Sequence, residues 1–198
     1  SNDEQTVLSN ENGIISVHVK KLNLNPQTQY PLVNVPPEMK EYLEPTRIIE
    51  STDSIVVRLA RKITKRSKTA EKVIQKINRT VRWYITPALD VQYATAGEVA
   101  RSRRGDCTEY AVLTSALCRA SGIPSRIVNG ISYLPVAHSF YFHAWAQVFI
   151  DGKWISIDPA MRRFEPGHIA ISFSKDGQPS FTSLNAIGNI QIVSIEAH

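Results

Sequence analysis

The sequence feature that most constrains the fold is a β-hairpin signal at residues 143–158. Two apolar-rich segments, HAWAQVFI and KWISID, flank Asp151-Gly152, the favoured pair for a two-residue type I′ turn. We therefore predict that Ile150 pairs with Lys153 and that two antiparallel strands extend from this turn. One face of the hairpin is then uniformly apolar and must be buried; it carries Ala144, Ala146, Val148, Ile150, Ile155 and Ile157.

The other face of the same hairpin carries two polar residues that can interact. The predicted register places Trp145 directly opposite Asp158, so His143 is the diagonal neighbour of Asp158 on one face. Diagonal positions lie roughly 7–8 Å apart at the backbone, a distance that an imidazole and a carboxylate can bridge with a hydrogen bond. The register therefore predicts a His–Asp pair on this face of the sheet.

A second constraint comes from segment 103–119, which reads RRGDCTEYAVLTSALCR. Asp106 and Glu109 form a capping signal of the Asp-x-x-Glu kind, and apolar residues follow at helical spacing until Gly122 ends the run. The pattern predicts a helix whose first turn contains Cys107. Free N–H groups and the dipole at a helix start favour the thiolate, which is the nucleophilic form of cysteine.

The second cysteine, Cys118, lies on the same predicted helix. The two Cα atoms would be roughly 16 Å apart at 1.5 Å per residue, whereas a disulfide requires about 7 Å or less. Both thiols are therefore expected to be free, with Cys118 in the core among its apolar neighbours. Two cysteines without a Cys-x-x-Cys motif do not provide a structural zinc site, and no metal or cofactor is expected.

These residues can be assembled into a nucleophilic site. Cys107 would attack, His143 would transfer the proton, and Asp158 would orient the imidazole. The oxyanion would be held by the backbone N–H of Cys107 and one further donor. Three side chains remain candidates for that donor: Trp83, Tyr84 and Tyr93.

The remaining histidines are weaker candidates for the base. His18 and His198 lie in terminal segments, while His138 and His168 lie in predicted loops.

The N-terminal region allows two interpretations. Residues 1–12 are polar and expected to be frayed, and residues 14–19 and 22–24 alternate like strands. Residues 1–36 are either an arm of this domain or the end of a preceding one. Residues 37–198 form the predicted main domain, and other domains of a longer parent chain are compatible with this division.

Three helices are predicted before the cysteine helix. Their caps are Thr52 or Asp53, then Thr69, then Thr95 in a capping box with Glu98. The first two helices carry ten bases: Arg58, Arg61, Lys62, Lys65, Arg66, Lys68, Lys72, Lys76, Arg79 and Arg82. This surface could bind an anionic partner, but we interpret it as the solvated side of two amphipathic helices because aromatic residues are not interleaved. Nucleic acid is therefore not the expected partner.

The C-terminal part is predicted to be rich in strands. Strand SRIVNGISY is followed by a loop at 134–140, and a further loop after Pro159 extends to residue 168. Three strand candidates follow at 169–174, 179–183 and 189–195. Helices followed by antiparallel strands indicate an α+β domain.

Composition limits the class of protein but not its compartment. A hydrophobic share of 42% with 21% charged residues is that of a globular chain. No apolar run approaches the roughly 20 residues of a membrane-spanning helix. The compartment stays open, with a periplasmic or secreted location compatible with the sequence.

Three segments together resemble the transglutaminase-like superfamily, which has a papain-like fold: GDCTEYA, GIPSR and HAWAQVFIDGKWISIDPA. Members of that family read approximately GxCxxxA, GIPxR, HAWxEV and WxxxDP. The similarity covers about residues 80–160, and YLEPTRIIESTD also resembles bacterial members. One departure is Gln147, where many relatives carry Glu.

The resemblance implies a nucleophile helix packed on an antiparallel β-sheet, with Cys107, His143 and Asp158 as the catalytic triad. It also implies thiol acyl transfer on a peptide or carboxamide bond. Transfer to water would make a cysteine protease or amidase and is the preferred interpretation; transfer to an amine would make a transglutaminase. No calcium loop is present to imply calcium dependence. The alternative is a non-catalytic binding module that uses the basic helices as its partner surface.

Overall fold

The computed structural model describes residues 1–89, 94–161, 164–178 and 190–196. It contains four α-helices within these ranges: α1 Ser54–Thr64, α2 Ala70–Tyr84, α3 Ala96–Ser102 and α4 Cys107–Ala120. Its strands are β1 Gln5–Glu11, β2 Ile14–Val19, β3 Thr86–Pro87, β4 Arg104–Gly105, β5 Ser125–Leu134, β6 Ser139–Ile150, β7 Lys153–Ile157 and β8 His168–Ser174. Short 3₁₀ helices cover Pro37–Tyr42 and Pro135–Ala137.

The main sheet is antiparallel, with strand order β7-β6-β5-β8. Ile150 pairs with Lys153 and Ala146 with Ile157, so the register predicted from the hairpin is confirmed. The predicted apolar face is also confirmed, because all six of its side chains are buried. They join the side chains of α4 in one hydrophobic core. Burial of this face sets the register, since a one-residue slip would turn it to solvent.

Helix α4 is the central helix and begins at the predicted cap. Asp106 Oδ1 accepts a 2.8 Å bond from the Thr108 N–H, and Glu109 Oε2 accepts a 2.9 Å bond from the Asp106 N–H. Gly105 permits this arrangement, because a Cβ there would lie 2.2 Å from the Cβ of Glu109. The helix then ends before Gly122, whose φ of +71° suits glycine.

The other helices follow their predicted caps. Asp53 accepts from the N–H groups of Ile55 and Val56 at the start of α1. Thr69 caps α2, and Thr95 and Glu98 form the capping box of α3. The apolar faces of these helices enter the core. Eight of the ten bases are exposed, and Lys76 and Arg82 are half-buried.

The expectation that residues 1–12 are frayed is wrong. Strand β1 pairs with β2 through the turn Asn12-Gly13, in which both residues have positive φ. An Asn-Gly pair is itself a hairpin signal. Glu4, just before β1, is only 3% exposed, so a polar sequence at this end does not mean a solvated one. Residues 22–24 form no strand.

The predicted strand boundaries near the C-terminus shift. Strand β6 begins at Ser139, so the predicted loop 134–140 is shorter than expected. His168 begins β8 and is not in a loop. Candidate 179–183 lies outside the described residues, and residues 190–195 of the last candidate form no strand.

No helix in the described ranges is both long and apolar enough to cross a bilayer.

Candidate active site

The predicted His–Asp pair is present on β6 and directly after β7. His143 Nε2 lies 2.7 Å from Asp158 Oδ2. Both side chains are largely removed from water, at 8% and 1% exposure. The hairpin register therefore brings together the two groups that the sequence had placed diagonally.

Cys107, the first residue of α4, approaches the same imidazole and remains partly exposed. Its side chain lies close enough to the His143 ring to favour the protonated imidazole. Because Nε2 of that ring is engaged by Asp158, Nδ1 is the nitrogen left for the thiol. The fold thus brings the start of α4 close to the His143–Asp158 pair.

The electrostatics of the pair favour its charged form. Burial opposes the imidazolium, but the hydrogen bond with Asp158 and the neighbouring Cys107 outweigh it and raise the pKa of His143 to about 10. Burial likewise opposes the carboxylate of Asp158, but its bonds with His143 and His168 hold its pKa well below the usual range. At neutral pH the site therefore contains an imidazolium and a carboxylate.

Asp158 is fixed from two sides. Its Oδ1 accepts from the backbone N–H groups of Ala160 at 2.9 Å and Met161 at 3.3 Å. Its Oδ2 is contacted by His143 and also by His168 Nε2, at 2.9 Å. Sequence analysis placed His168 in a loop and set it aside, because the pairing of β8 with β5 that brings it to the site links distant segments and leaves no local signal.

Gly130 makes room for the start of β8. A Cβ at this position would lie 2.1 Å from the carbonyl oxygen of Ile169 and 2.8 Å from the Trp145 ring. The pairing of β5 with β8 also shifts register between Asn129 and Gly130. Glycine here allows the close backbone approach that carries His168 to Asp158.

Aromatic rings surround the two histidines. Trp145 is stacked on His143 at a centroid distance of 6.0 Å and meets His168 edge-on at 5.1 Å. Phe164 lies 4.6 Å from His168. Trp145 and Phe164 belong to a second hydrophobic cluster, on the sheet face opposite α4. This cluster excludes water from the polar groups and strengthens their interactions.

A buried polar network continues along the same sheet face and reaches the N-terminus. Gln147 Nε2 donates to Glu4 Oε2 at 3.0 Å, while Gln147 Oε1 accepts two bonds from Arg126. The other oxygen of Glu4 accepts from the Ser156 N–H at 3.0 Å, and Ser156 Oγ bonds both Glu4 and Trp145. Burial raises the pKa of Glu4. Gln147 therefore supports the sheet and does not contact the His–Asp pair.

The three candidates for the second oxyanion donor are placed differently. The Tyr84 hydroxyl donates its single hydrogen to the Ala100 carbonyl at 2.7 Å, so it is committed elsewhere. Trp83 is 79% exposed, and Tyr93 lies outside the described residues. The Asp106 cap binds the N–H groups of Thr108 and Glu109, so the cap itself does not occupy the N–H of Cys107.

The same cluster contains the donor atoms that could hold a metal ion in the described part of the chain. One side-chain atom each from His143, Asp158 and His168 lies within 4.8 Å of the others. Direct hydrogen bonds at 2.7 and 2.9 Å join both rings to Asp158 Oδ2. Protons therefore account for this arrangement, and we assign no metal ligand.

Comparison with known proteins identifies the family. The sequence profile described as the transglutaminase-like superfamily matches residues 57–159, more than half of the chain. The chain belongs to the transglutaminase-like superfamily. The matched span includes α4 and the β6–β7 hairpin, and therefore Cys107, His143 and Asp158.

Two curated proteins are similar to this chain over part of its length. A Drosophila melanogaster peptide-N(4)-(N-acetyl-beta-glucosaminyl)asparagine amidase is 32% identical over 71 residues, which are 35% of this chain and 10% of the amidase. A Pseudomonas aeruginosa protein-glutamine gamma-glutamyltransferase is 36% identical over 80 residues, 33% of this chain and 12% of the relative. The chain thus spans about a tenth of the length of these curated relatives.

A solved structure supports the fold. A Cytophaga hutchinsonii protein assigned as a cysteine protease superposes with a TM-score of 0.66 and 24% identity, over 75% of this chain and 50% of that protein. The chain therefore has the α+β papain-like fold of the superfamily, with the cysteine helix packed on an antiparallel sheet. The superfamily contains amidases and acyltransferases among its members, and enzyme activity in this chain is consistent with that membership.

Proposed function

We propose that this chain is a thiol acyl-transfer enzyme acting on peptide or carboxamide bonds through Cys107, His143 and Asp158. The observation that carries the proposal is the His143–Asp158 pair, with its atoms 2.7 Å apart, beside the Cys107 side chain at the start of α4. This is the arrangement that nucleophilic catalysis requires: a nucleophile, its base, and a group that orients the base.

The charge state of the pair suits the first half-reaction. His143 is protonated at neutral pH, since its pKa is raised to about 10, and the nucleophile is the thiolate of Cys107. The thiolate attacks the carbonyl carbon of the substrate, and the negative charge moves to the carbonyl oxygen. When the C–N bond breaks, His143 donates its proton to the leaving nitrogen, which departs as an amine or ammonia. The acyl group remains on Sγ as a thioester.

The second half-reaction returns the enzyme to its starting state. Neutral His143 accepts a proton from water or from an amine, and that nucleophile attacks the thioester carbonyl. The C–S bond breaks and releases either a carboxylic acid or a new amide. Asp158 holds the ring so that the same nitrogen serves both half-reactions. The backbone N–H of Cys107 is our proposed first oxyanion donor.

Hydrolysis is the outcome that we favour. The solved structural relative is assigned as a cysteine protease and one curated relative is named an amidase, and both names describe transfer to water. The named gamma-glutamyltransferase supports transfer to an amine as the second outcome of the same thioester chemistry.

The proposal is tested with the purified chain, a panel of peptides and glutamine-containing substrates, and a fluorescent primary amine. Free acid and ammonia report transfer to water, whereas amine incorporation reports transamidation. We expect Cys107→Ala and His143→Ala each to lower turnover by roughly 10⁴-fold or more without loss of the fold. Asp158→Ala should lower activity and also stability, since it leaves two buried histidines without their acceptor.

The matched control is Cys118→Ala, because Cys118 is fully buried in the core and burial raises the pKa of its thiol. This variant should retain turnover. An equal loss of turnover in both cysteine variants, accompanied by a lower melting temperature, would contradict the assignment of Cys107 as nucleophile.

A non-catalytic role is the second candidate and depends on the basic surface. Eight bases on α1, on α2 and in the turn between them are exposed, and no described acidic side chain forms an ion pair with them. Absence of turnover together with an unreactive Cys107 would favour this role. Retention on heparin that disappears when Arg61, Lys65 and Lys68 are changed to Glu would then identify the binding surface.

A further inference from the structure

His168 is a second imidazole in the site. It is the first residue of β8, and its side chain is 2% exposed. Its Nε2 lies 2.9 Å from Asp158 Oδ2, and its Nδ1 lies 2.9 Å from the Glu165 backbone carbonyl. Both ring nitrogens are therefore engaged by oxygen atoms.

The two oxygen atoms determine where the hydrogens lie. The Glu165 carbonyl can only accept, so Nδ1 of His168 carries a hydrogen. Asp158 is ionised and its Oδ2 can also only accept, so Nε2 carries a hydrogen as well. A ring that donates from both nitrogens is an imidazolium. A neutral ring would direct the lone pair of Nε2 at the carboxylate, which is repulsive in a buried site.

Hydrogen bonds satisfy the buried carboxylate of Asp158. Its Oδ2 is contacted by both rings, and its Oδ1 accepts from two backbone N–H groups. A buried carboxylate requires such compensation. Trp145 and Phe164 lie against the ring of His168.

We propose that His168 is a positioning residue that holds the Asp158 carboxylate in the orientation which directs His143 toward Cys107. The expected effect of His168 on turnover rests on the proposed function. The geometry of the cluster does not, because it can be measured without substrate. His168 acts through Asp158, its hydrogen-bond partner. It donates a hydrogen bond to Oδ2 of Asp158, as the Ala160 and Met161 N–H groups do to Oδ1.

The direct test is ¹⁵N NMR of the folded chain with labelled histidine at neutral pH, assigned with the variant His168→Gln. We expect both nitrogens of His168 to be protonated, with couplings to Asp158 and Glu165 as acceptors. An Nε2 without hydrogen would overturn the proposal, whatever the enzyme turns over. Conversely, a doubly protonated His168 in a chain without amide turnover would leave this inference intact and count against the proposed function.

Variants test the positioning effect through the alkylation rate of Cys107. His168→Gln retains an N–H donor for Asp158 but no charge, whereas His168→Phe removes both. We expect about a tenfold or larger loss of the Cys107 rate in His168→Phe and a loss of about twofold to threefold in His168→Gln. The control is His18→Gln, an exposed position on β2, which should match the unmodified chain.

An unchanged Cys107 rate in folded His168→Phe would overturn the proposal. If His168→Phe does not fold, the His168→Gln rate and the NMR result decide: a rate equal to that of the control, or a singly protonated ring, would count as refutation. A turnover assay adds a further criterion, since a positioning role predicts a lower kcat with little change in KM.

Discussion

The side-chain amide of Gln147 donates a 3.0 Å hydrogen bond to the buried carboxylate of Glu4, joining β6 to the N-terminal segment. A glutamate at position 147 would place two buried carboxylates against each other. Gln147 therefore suits this position, because its side-chain amide can donate to the buried carboxylate of Glu4.

Gln147→Glu should destabilise the chain by about 2–4 kcal/mol at neutral pH, because it replaces a donor with a like charge in a buried network. The double variant Glu4→Gln, Gln147→Glu should recover most of this loss, since it reverses the direction of the bond and places a carboxylate against Arg126. Urea unfolding of the two variants and the unmodified chain measures the difference. A double variant no more stable than Gln147→Glu would contradict the pairing.

Cys107 should react with iodoacetamide well below about pH 8.5, where an ordinary thiol reacts slowly. The neighbouring His143 imidazolium provides the reason, so His143→Ala should remove the advantage. Peptide mass spectrometry between about pH 4 and 9 measures the rate at each cysteine. Cys118 serves as the internal control, because it is fully buried and should stay unmodified. A Cys107 rate unaffected by His143→Ala would refute the ion pair.

Stability should fall as the pH rises from about 6.5 to about 10. The folded-state pKa of His143 is raised to about 10, above the unfolded value of about 6.5. Its contribution is therefore fully present below about pH 6.5 and is lost as the pH rises through about 10. One proton corresponds to a slope of at most about 1.4 kcal/mol per pH unit. Unfolding free energies of the unmodified chain and His143→Gln should diverge at low pH and converge near pH 10, and parallel curves would contradict this reasoning.

The acid limit of stability should depend on Asp158. Its folded-state pKa is held below the usual range by His143 and His168, so its contribution is present above about pH 3.9 and is lost as the pH falls below that value. Asp158→Asn should reduce the loss of unfolding free energy at low pH, and a plot of that free energy against pH should have a flatter acid limb. The matched control is Asp151→Asn, at the exposed turn of the β6–β7 hairpin, which should retain the limb. If Asp158→Asn loses as much unfolding free energy at low pH as the unmodified chain, other carboxylates are responsible for that loss.

Gly130→Ala should destabilise the chain by about 3 kcal/mol or more, because a Cβ there meets a backbone oxygen at 2.1 Å and overpacking is costly. It should also slow Cys107 alkylation, since the start of β8 and His168 would move. The control is Gly152→Ala, where a Cβ meets open space but φ is +76°, and a cost of about 1–2 kcal/mol from backbone strain is expected. Similar costs for both, with unchanged Cys107 reactivity, would contradict the role assigned to Gly130.

Local patterns were sufficient for the hairpin and the helix starts. Asp151-Gly152 with one uniformly apolar face allowed a single register, which in turn placed His143 beside Asp158. The caps Asp53, Thr69 and Asp106 marked the starts of their helices. These predictions succeeded because turn geometry and capping act over a few residues.

The contacts that depended on tertiary structure were not predictable in this way. His168 reaches Asp158 only because β8 pairs with β5, with room made by Gly130. Glu4 is buried only because the N-terminal segment lies against Gln147 and Ser156. Both arrangements join residues far apart in the chain, where long-range packing and the satisfaction of buried polar groups decide the outcome. The amino-acid order therefore determined the elements and the His–Asp register, whereas the folded chain decided which further groups surround them.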